Sequence, residues 1–223
     1  MTAVFITSTG TDIGKTFVTA GLIAHLRKTG RRIEAIKPVV TGFAPATAAT
    51  SDPGVLLSAL GRPVAEAEIA KISPWRFQAP LSPDLAAARE GRTLDFDALV
   101  AFSRQAVSSD VLLIESVGGI MVPLDDRHTV LDWMGALDLP LVLVAGSYLG
   151  TISHTLSAVD VLQRRHLKIA AIVVSESINS PVALDDTVAS IKRFVPPITV
   201  CALPRLPSWT TGHPLFGQLA ALI

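Results

Sequence analysis

Thr7-Ser8-Thr9-Gly10-Thr11-Asp12-Ile13-Gly14-Lys15-Thr16 follows a short apolar segment, Val4–Ile6, and leads into an amphipathic stretch. A strand, a small-residue loop closed by Gly-Lys-Thr, then a helix: this order is the context a phosphate-binding loop requires. Loop amides and the helix N-terminus would face an anion, because those N–H groups lack an intrahelical partner. Lys15 would reach the outer phosphates and the Thr16 hydroxyl a magnesium ion. The stretch therefore points to a nucleoside triphosphate. The competing reading is a Gly-Lys-Thr that merely starts a helix.

The spacing is unusual. The general pattern G-x-x-x-x-G-K-[ST] wants a glycine where Thr9 stands, and Gly10 comes one place late. The signature lysine of ParA/MinD-type ATPases is absent, because Gly10 occupies its position.

A length of 223 residues suggests one α/β domain spanning 1–223, long enough to bury a sizeable core. Apolar residues make up 49% and charged residues 17%, which argues against disorder. Nineteen basic and nineteen acidic residues cancel, leaving no overall basic footprint for nucleic acid. The first residues lack a positive n-region, so no secretory signal is read there. No apolar run approaches the roughly 18 residues of a membrane span. Cys201 is the only cysteine, which excludes an internal disulfide and a thiolate zinc cluster; in its apolar run it reads as a small core hydrophobe. A cytoplasmic protein fits these features.

Short apolar runs alternate with amphipathic ones. The strand candidates are Val4–Thr7, Ile33–Ile36, Val111–Ile114, Leu141–Ala145, Ile169–Val174 and Ile198–Leu203. Most are apolar throughout, as strands covered on both faces should be. Helical patterns fall at Thr16–Thr29, Phe96–Val107, His154–His166 and Leu184–Phe194. The alternation predicts an α/β fold: a doubly wound, mostly parallel sheet of the P-loop NTPase type with helices on both faces. The Pro-rich stretch at about 41–94, with short helical pieces such as Val55–Leu60, reads as an insertion. Such sheets bind ligands outside the C-terminal strand ends, so residues there carry most weight.

Lys37 closes the second strand ahead of Pro38. A buried ammonium needs an anion, from the protein or a ligand; otherwise the side chain snorkels to the surface. Glu115 ends the third strand as a Walker-B acid does, holding magnesium directly or through water, or it simply caps the strand end. Gly118-Gly119 would let backbone approach a ligand closely. Asp52 could add a second carboxylate to the metal, although judged alone it reads as the cap of the next helix. Gly146–Thr151 before a helix could form another anion-binding turn. The five histidines show no ligand spacing.

Together these segments resemble ATP-dependent dethiobiotin synthetase from Phe5 to about Leu206. The likeness comprises the oddly spaced loop, Lys37–Gly42, Ser51-Asp52, Ser82-Pro83, Glu90–Arg92, Glu115–Gly119, Val122–Leu124, Asp132-Trp133 and Leu149–Ile152. The resemblance implies a homodimer that takes 7,8-diaminopelargonate, carbon dioxide and ATP with Mg2+. One amine forms a carbamate, a carbamate oxygen attacks the γ-phosphate, and the second amine displaces phosphate to close a cyclic urea. It also implies roles. Lys15 and Lys37 would be catalytic, with Lys37 against the carbamate and Thr41 against substrate. Thr16, Asp52 and Glu115 would hold the metal. Asp12, Ile13, Gly14 and Phe17 would join them around the nucleotide, with Ser116, Val117 and Gly118 opposite. Ser175-Glu176 and Pro204-Arg205-Leu206 would enclose the base. Gly150, Thr151 and Ser153 would serve the substrate carboxylate of the neighbouring subunit.

Four departures stand out. Ser8 and Ser116 occupy positions where the family usually has glycine, and phosphate binding should survive if the local φ permits serine. Ser175-Glu176 replaces an Asn-Asp pair that reads adenine, so base discrimination should weaken or change. Ser153 replaces an asparagine of the interface segment. A related amidoligase or small-molecule kinase would keep Lys15, Thr16 and Glu115 without needing Lys37–Gly42. A nucleotide-dependent switch is disfavoured by the absent signature lysine and the lack of basic arms.

Overall fold

The computed structural model of the chain describes residues 2–105 and 109–223. Its first strand, β1 (Thr2–Ser8), passes through the phosphate-loop stretch into α1 (Lys15–Lys28) and on to β2 (Ile33–Ile36). The chain then leaves the main sheet through β3 (Val39–Val40), a 3-10 turn (Pro45–Thr50), α2 (Asp52–Leu60), α3 (Glu66–Ile72), β4 (Trp75–Arg76) and α4 (Pro83–Arg89). It returns through α5 (Phe96–Ser103) to β5 (Val111–Glu115), followed by α6 (Val130–Leu137), β6 (Leu141–Gly146) and α7 (Thr151–Arg164). Then come β7 (Ile169–Ser175), α8 (Leu184–Phe194), β8 (Thr199–Leu203), a 3-10 turn (Trp209–Thr211) and α9 (Pro214–Ala220).

The main sheet has the order β2-β5-β1-β6-β7-β8, and every pair in it is parallel. β5 is buried at every position, as its unbroken apolar run requires under helices on both faces. From β1 the chain winds outward on one side to β2 and later on the other to β6. This reversal of direction opens a crevice at the C-terminal ends of the strands. A second, two-strand sheet pairs β3 with β4 in parallel. Within the core, Phe5 meets Trp133 edge-on at 4.8 Å, and the indole N–H donates to Ser103 Oγ at 3.1 Å. α9 seats on α1 at Gly21, where an added Cβ would lie 2.1 Å from the Phe216 ring.

Four strands run beyond the sequence-based limits at one or both ends, because Ser8, Glu115, Gly146 and Ser175 are polar or small yet still ladder-bonded; Ile33–Ile36 is as expected, and the last strand starts one residue later. α1 starts at Lys15 and α7 at Thr151, both after a glycine in the left-handed region (Gly14 φ 98°, Gly150 φ 96°). That conformation suits glycine and marks the turn into each helix. α5 ends at Ser103; the remainder of the expected Phe96–Val107 helix includes residues 106–108, outside those described. Sequence reading missed α3, α4, α6 and α9 and the two short strands. Between β4 and α5, Glu90 accepts the Gln78 N–H at 2.7 Å, and the Arg92 guanidinium lies 4.6 Å over the Phe77 ring. The Glu-Gly-Arg motif therefore braces this part of the fold. Cys201 is buried, as a small hydrophobe should be.

Candidate active site

Register alone brings the key charges together. Ile36 of β2 pairs with Ile114 of β5, so the next residues, Lys37 and Glu115, leave adjacent strand ends side by side. The Lys37 N–H is held by Ile72 O at 3.0 Å, which turns the chain out of the main sheet at that point. Its ammonium is 3% exposed and donates to Glu115 Oε1 at 2.7 Å and to Ser116 O at 3.0 Å. It also pairs with Asp52 Oδ2 at 2.7 Å. The snorkelling alternative is thereby excluded: the buried ammonium finds its anions within the protein. Burial works against the charge on Lys37, but Glu115 and Asp52 outweigh it and hold this lysine well above the ordinary lysine range. Asp52, resisted by its own desolvation, is held below the usual carboxylate range by Lys37 and the Thr16 hydroxyl.

Asp52 is not the helix cap. Ser51 takes that role, its Oγ accepting the Gly54 N–H, and Asp52 as the next residue is free to turn inward. Thr16 Oγ1 lies 2.8 Å from Asp52 Oδ1 and 2.7 Å from Glu115 Oε1. A hydroxyl has one proton and satisfies one of these contacts, so a cation is the natural complement of the other. Glu115 is fully buried and its Oε2 has no partner among the described residues. Two carboxylates and a hydroxyl form a hard oxygen set suited to a divalent cation such as Mg2+ completed by phosphate and water. Among the described residues no cluster of three or more His, Cys, Asp or Glu side chains forms a protein-only metal site.

Lys15 is 6% exposed and reaches back along its loop to Ser8 Oγ at 2.9 Å and Gly10 O at 3.3 Å. Desolvation, then repulsion from Lys37, pulls it down to about 8 despite the nearby carboxylates. One of its three N–H groups remains for an incoming anion. Ser8 also contacts Gly10 O at 2.6 Å and Gly118 O at 2.9 Å, tying the loop to the turn after β5. Sequence reading treated Ser8 only as a substitute for glycine; a hydroxyl facing into a lysine-bearing loop was the available signal.

Two adjoining pockets share Asp12, Gly14 and Phe17. The first, about 350 Å³, is lined by Lys15, Thr16, Lys37, Thr41 and Asp52, with Val117 and Gly118 on the far side. Glu115 is buried behind this lining, bonded to both Lys37 and Thr16. The second, about 550 Å³, is lined by Ile13, Ser175 and Glu176 and walled by Pro204, Arg205 and Leu206. Glu176 Oε2 accepts the Arg205 N–H at 2.8 Å, which leaves the other carboxylate oxygen for a ligand. Ser147 and Ser177 exchange hydrogen bonds at 3.0 and 2.9 Å and clasp the loops after β6 and β7, contacts the sequence did not suggest.

Some expected site residues lie elsewhere. The Ser116 side chain points into the sheet and meets Thr7 Oγ1 at 3.2 Å; only its carbonyl faces Lys37. Neither Ser8 nor Ser116 is among the positive-φ residues, so serine is unstrained at both. Gly150, Thr151 and Ser153 line neither pocket. Thr151 Oγ1 is spent on Gly146 O at 2.7 Å, and Ser153 is exposed.

A family model described as "AAA domain" matches residues 2–212. The chain is 47% identical over 216 residues to "ATP-dependent dethiobiotin synthetase BioD" of Acidiphilium cryptum (strain JF-5), covering 94% of this chain and 97% of that protein. It is 47% identical over 225 residues to the protein of the same name from Caulobacter sp. (strain K31), covering 100% and 96%. Among solved structures it is similar to the MinC:MinD cell division complex of Aquifex aeolicus, with TM-score 0.54, 14% identity and coverage of 93% and 83%. The signal recognition particle receptor FtsY of Elizabethkingia anophelis gives TM-score 0.53 at 13% identity, covering 99% of this chain and 65% of that one. Likeness at such identities concerns the fold alone, here a mostly parallel α/β sheet.

Proposed function

The chain belongs to the ATP-dependent dethiobiotin synthetase family, and on that premise we propose that it converts 7,8-diaminopelargonate, carbon dioxide and ATP to dethiobiotin, ADP and phosphate. One substrate amine adds to carbon dioxide and loses a proton, giving a carbamate. A carbamate oxygen takes the γ-phosphoryl group of ATP, and ADP leaves. The second amine attacks the carbonyl carbon of the carbamic-phosphoric anhydride, phosphate departs, and the urea ring closes.

The observation that carries this reading is that Lys15 and Lys37 line one pocket, with Lys37 2.7 Å from both Asp52 and Glu115 and Lys15 held back by Ser8 and Gly10 of its own loop. Phosphoryl transfer is mainly positioning and charge neutralisation, so converging ammonium groups suit a reaction between two anions. Lys15 holds the outer phosphates with its remaining N–H. Lys37 orients the carbamate, and Thr41 on the same wall contacts the diamine. Loop amides from Asp12 to Thr16 cradle the triphosphate. Thr16, Asp52 and Glu115 would hold Mg2+, which when bound neutralises developing charge on the phosphates.

Ser175, Glu176 and Pro204–Leu206 enclose the base in this reading. The same reading takes the enzyme as a cytoplasmic homodimer in which Gly150, Thr151 and Ser153 serve the partner's substrate carboxylate. Its support is an exposed apolar edge beside those residues, Leu149 at 83% and Met121 at 55% exposed. No helix among the described residues is long and apolar enough to cross a membrane.

Phosphate release measured with and without the diamine and bicarbonate tests the proposal. Release should require both and keep step with urea formation. Release indifferent to the diamine would point to a nucleotide switch instead.

A further inference from the structure

Every N–H of the Lys37 ammonium is committed. They face Glu115 Oε1 and Asp52 Oδ2 at 2.7 Å each and Ser116 O at 3.0 Å. The same Glu115 Oε1, with the other oxygen of Asp52, faces Thr16 Oγ1 at 2.7 and 2.8 Å. A divalent cation at Thr16 therefore draws on carboxylates that Lys37 already neutralises. The charges agree: Lys15 and Lys37 already offset Asp52 and Glu115, and Asp12 at the pocket rim is the one further acid acting on Lys15. Two further positive charges on that set leave an excess that the buried site cannot screen.

We propose that Lys37 is the resident counter-ion of the Thr16–Asp52–Glu115 oxygen set, competing with the divalent cation for it. Lys37 becomes available to substrate only when the metal arrives. This rests on the metal and substrate roles proposed above. Once Asp52 and Glu115 turn their oxygens to a cation, Lys37 loses two of its three acceptors. Its ammonium then has an open side toward Thr41, which lines the same pocket. The unpartnered Glu115 Oε2 gives that carboxylate a spare oxygen for the exchange. Metal alone should bind poorly, because nothing offsets the displaced ammonium. Metal entering with nucleotide brings the phosphate charges that do, so loading with metal–nucleotide readies Lys37 for the carbamate.

The test needs no turnover. Mn2+ binding, followed by titration calorimetry in the absence of nucleotide, should be weak in the unaltered protein and at least about ten-fold tighter in Lys37→Gln. Equal or weaker binding by Lys37→Gln, or no binding by either protein, overturns the proposal. Because Lys37→Gln leaves Glu115 buried without its cation, a second measurement uses the unaltered protein. The Lys37 Nζ resonance of 15N-lysine-labelled protein should move when Mg2+ joins a non-hydrolysable ATP analogue, relative to the analogue with EDTA. An unmoved resonance overturns the proposal as well. Failure of the functional reading itself would appear separately, as no dethiobiotin from the unaltered enzyme.

Discussion

Lys37 Nζ lies 2.7 Å from Glu115 Oε1, with the two side chains 3% and 0% exposed. Neither charge has water to fall back on, so each depends on the other. Breaking a buried pair from one side costs about 3–5 kcal/mol, because it strands the remaining charge. Lys37→Met should lose stability on that scale in urea unfolding, and Lys37→Met combined with Glu115→Gln should recover most of it. If the double variant is as unstable as the single, the pair is not the source of the loss.

Lys15 carries the opposite sign. Its value in the folded chain, about 8, lies below the 10.5 of a free lysine. Below pH 8 the folded chain holds a disfavoured ammonium; between about 8 and 10.5 the unfolded chain binds more protons, so stability from this group rises with pH. The penalty at neutral pH is about 3 kcal/mol by the energy per pKa unit. Lys15→Met should abolish phosphoryl transfer yet be the more stable protein at pH 7 without nucleotide. The gap should narrow toward pH 10. A gap that stays constant with pH would contradict the desolvation account.

Two glycines of the loop should respond differently. Gly14 has φ 98°, and an added Cβ would lie 2.8 Å from Ser175 Oγ, whereas Gly10 has nothing within 4 Å and no positive φ. Gly14→Ala should lower ATP affinity by about ten-fold or more through strain at the helix entry. Gly10→Ala should stay within about two-fold, as an unobstructed substitution does. Calorimetric titration with a non-hydrolysable ATP analogue measures both.

Much of this site was legible. Apolar runs placed the strands, and the residues closing them, Lys37 and Glu115, followed directly. Asp52 taken alone reads as a cap, and only the resemblance put it at the metal, because Ser51 and Asp52 are both good capping residues and only the three-dimensional structure shows which one turns inward. The Lys37–Glu115 contact depends on β2 lying beside β5, an order that local sequence does not encode. α6 escaped notice because its eight residues resemble a short apolar run, although Thr129 and Asp132 form a capping box. Gly150, Thr151 and Ser153 were read through a second subunit, so one chain does not bring them to the cleft.

Base selection should be loose. Glu176 has one oxygen committed to the Arg205 N–H, and Ser175 offers a hydroxyl rather than an amide at the pocket edge. A single hydroxyl cannot present the amide's paired donor and acceptor. GTP or CTP should therefore support turnover within about ten-fold of ATP in kcat/KM. A strong preference for ATP would count against this account of the pocket.

The central claim is that both lysines act on one reaction, and labelled bicarbonate tests it most directly. The protein is incubated with ATP, Mg2+, 13C-bicarbonate and 7,8-diaminopelargonate, and the products are read by mass. The account predicts dethiobiotin carrying one 13C in its ureido carbon, one ADP per ring closed, and loss of that product in Lys37→Ala. Full labelled product from Lys37→Ala, or ATP hydrolysis by the unaltered protein with no labelled urea, would contradict it.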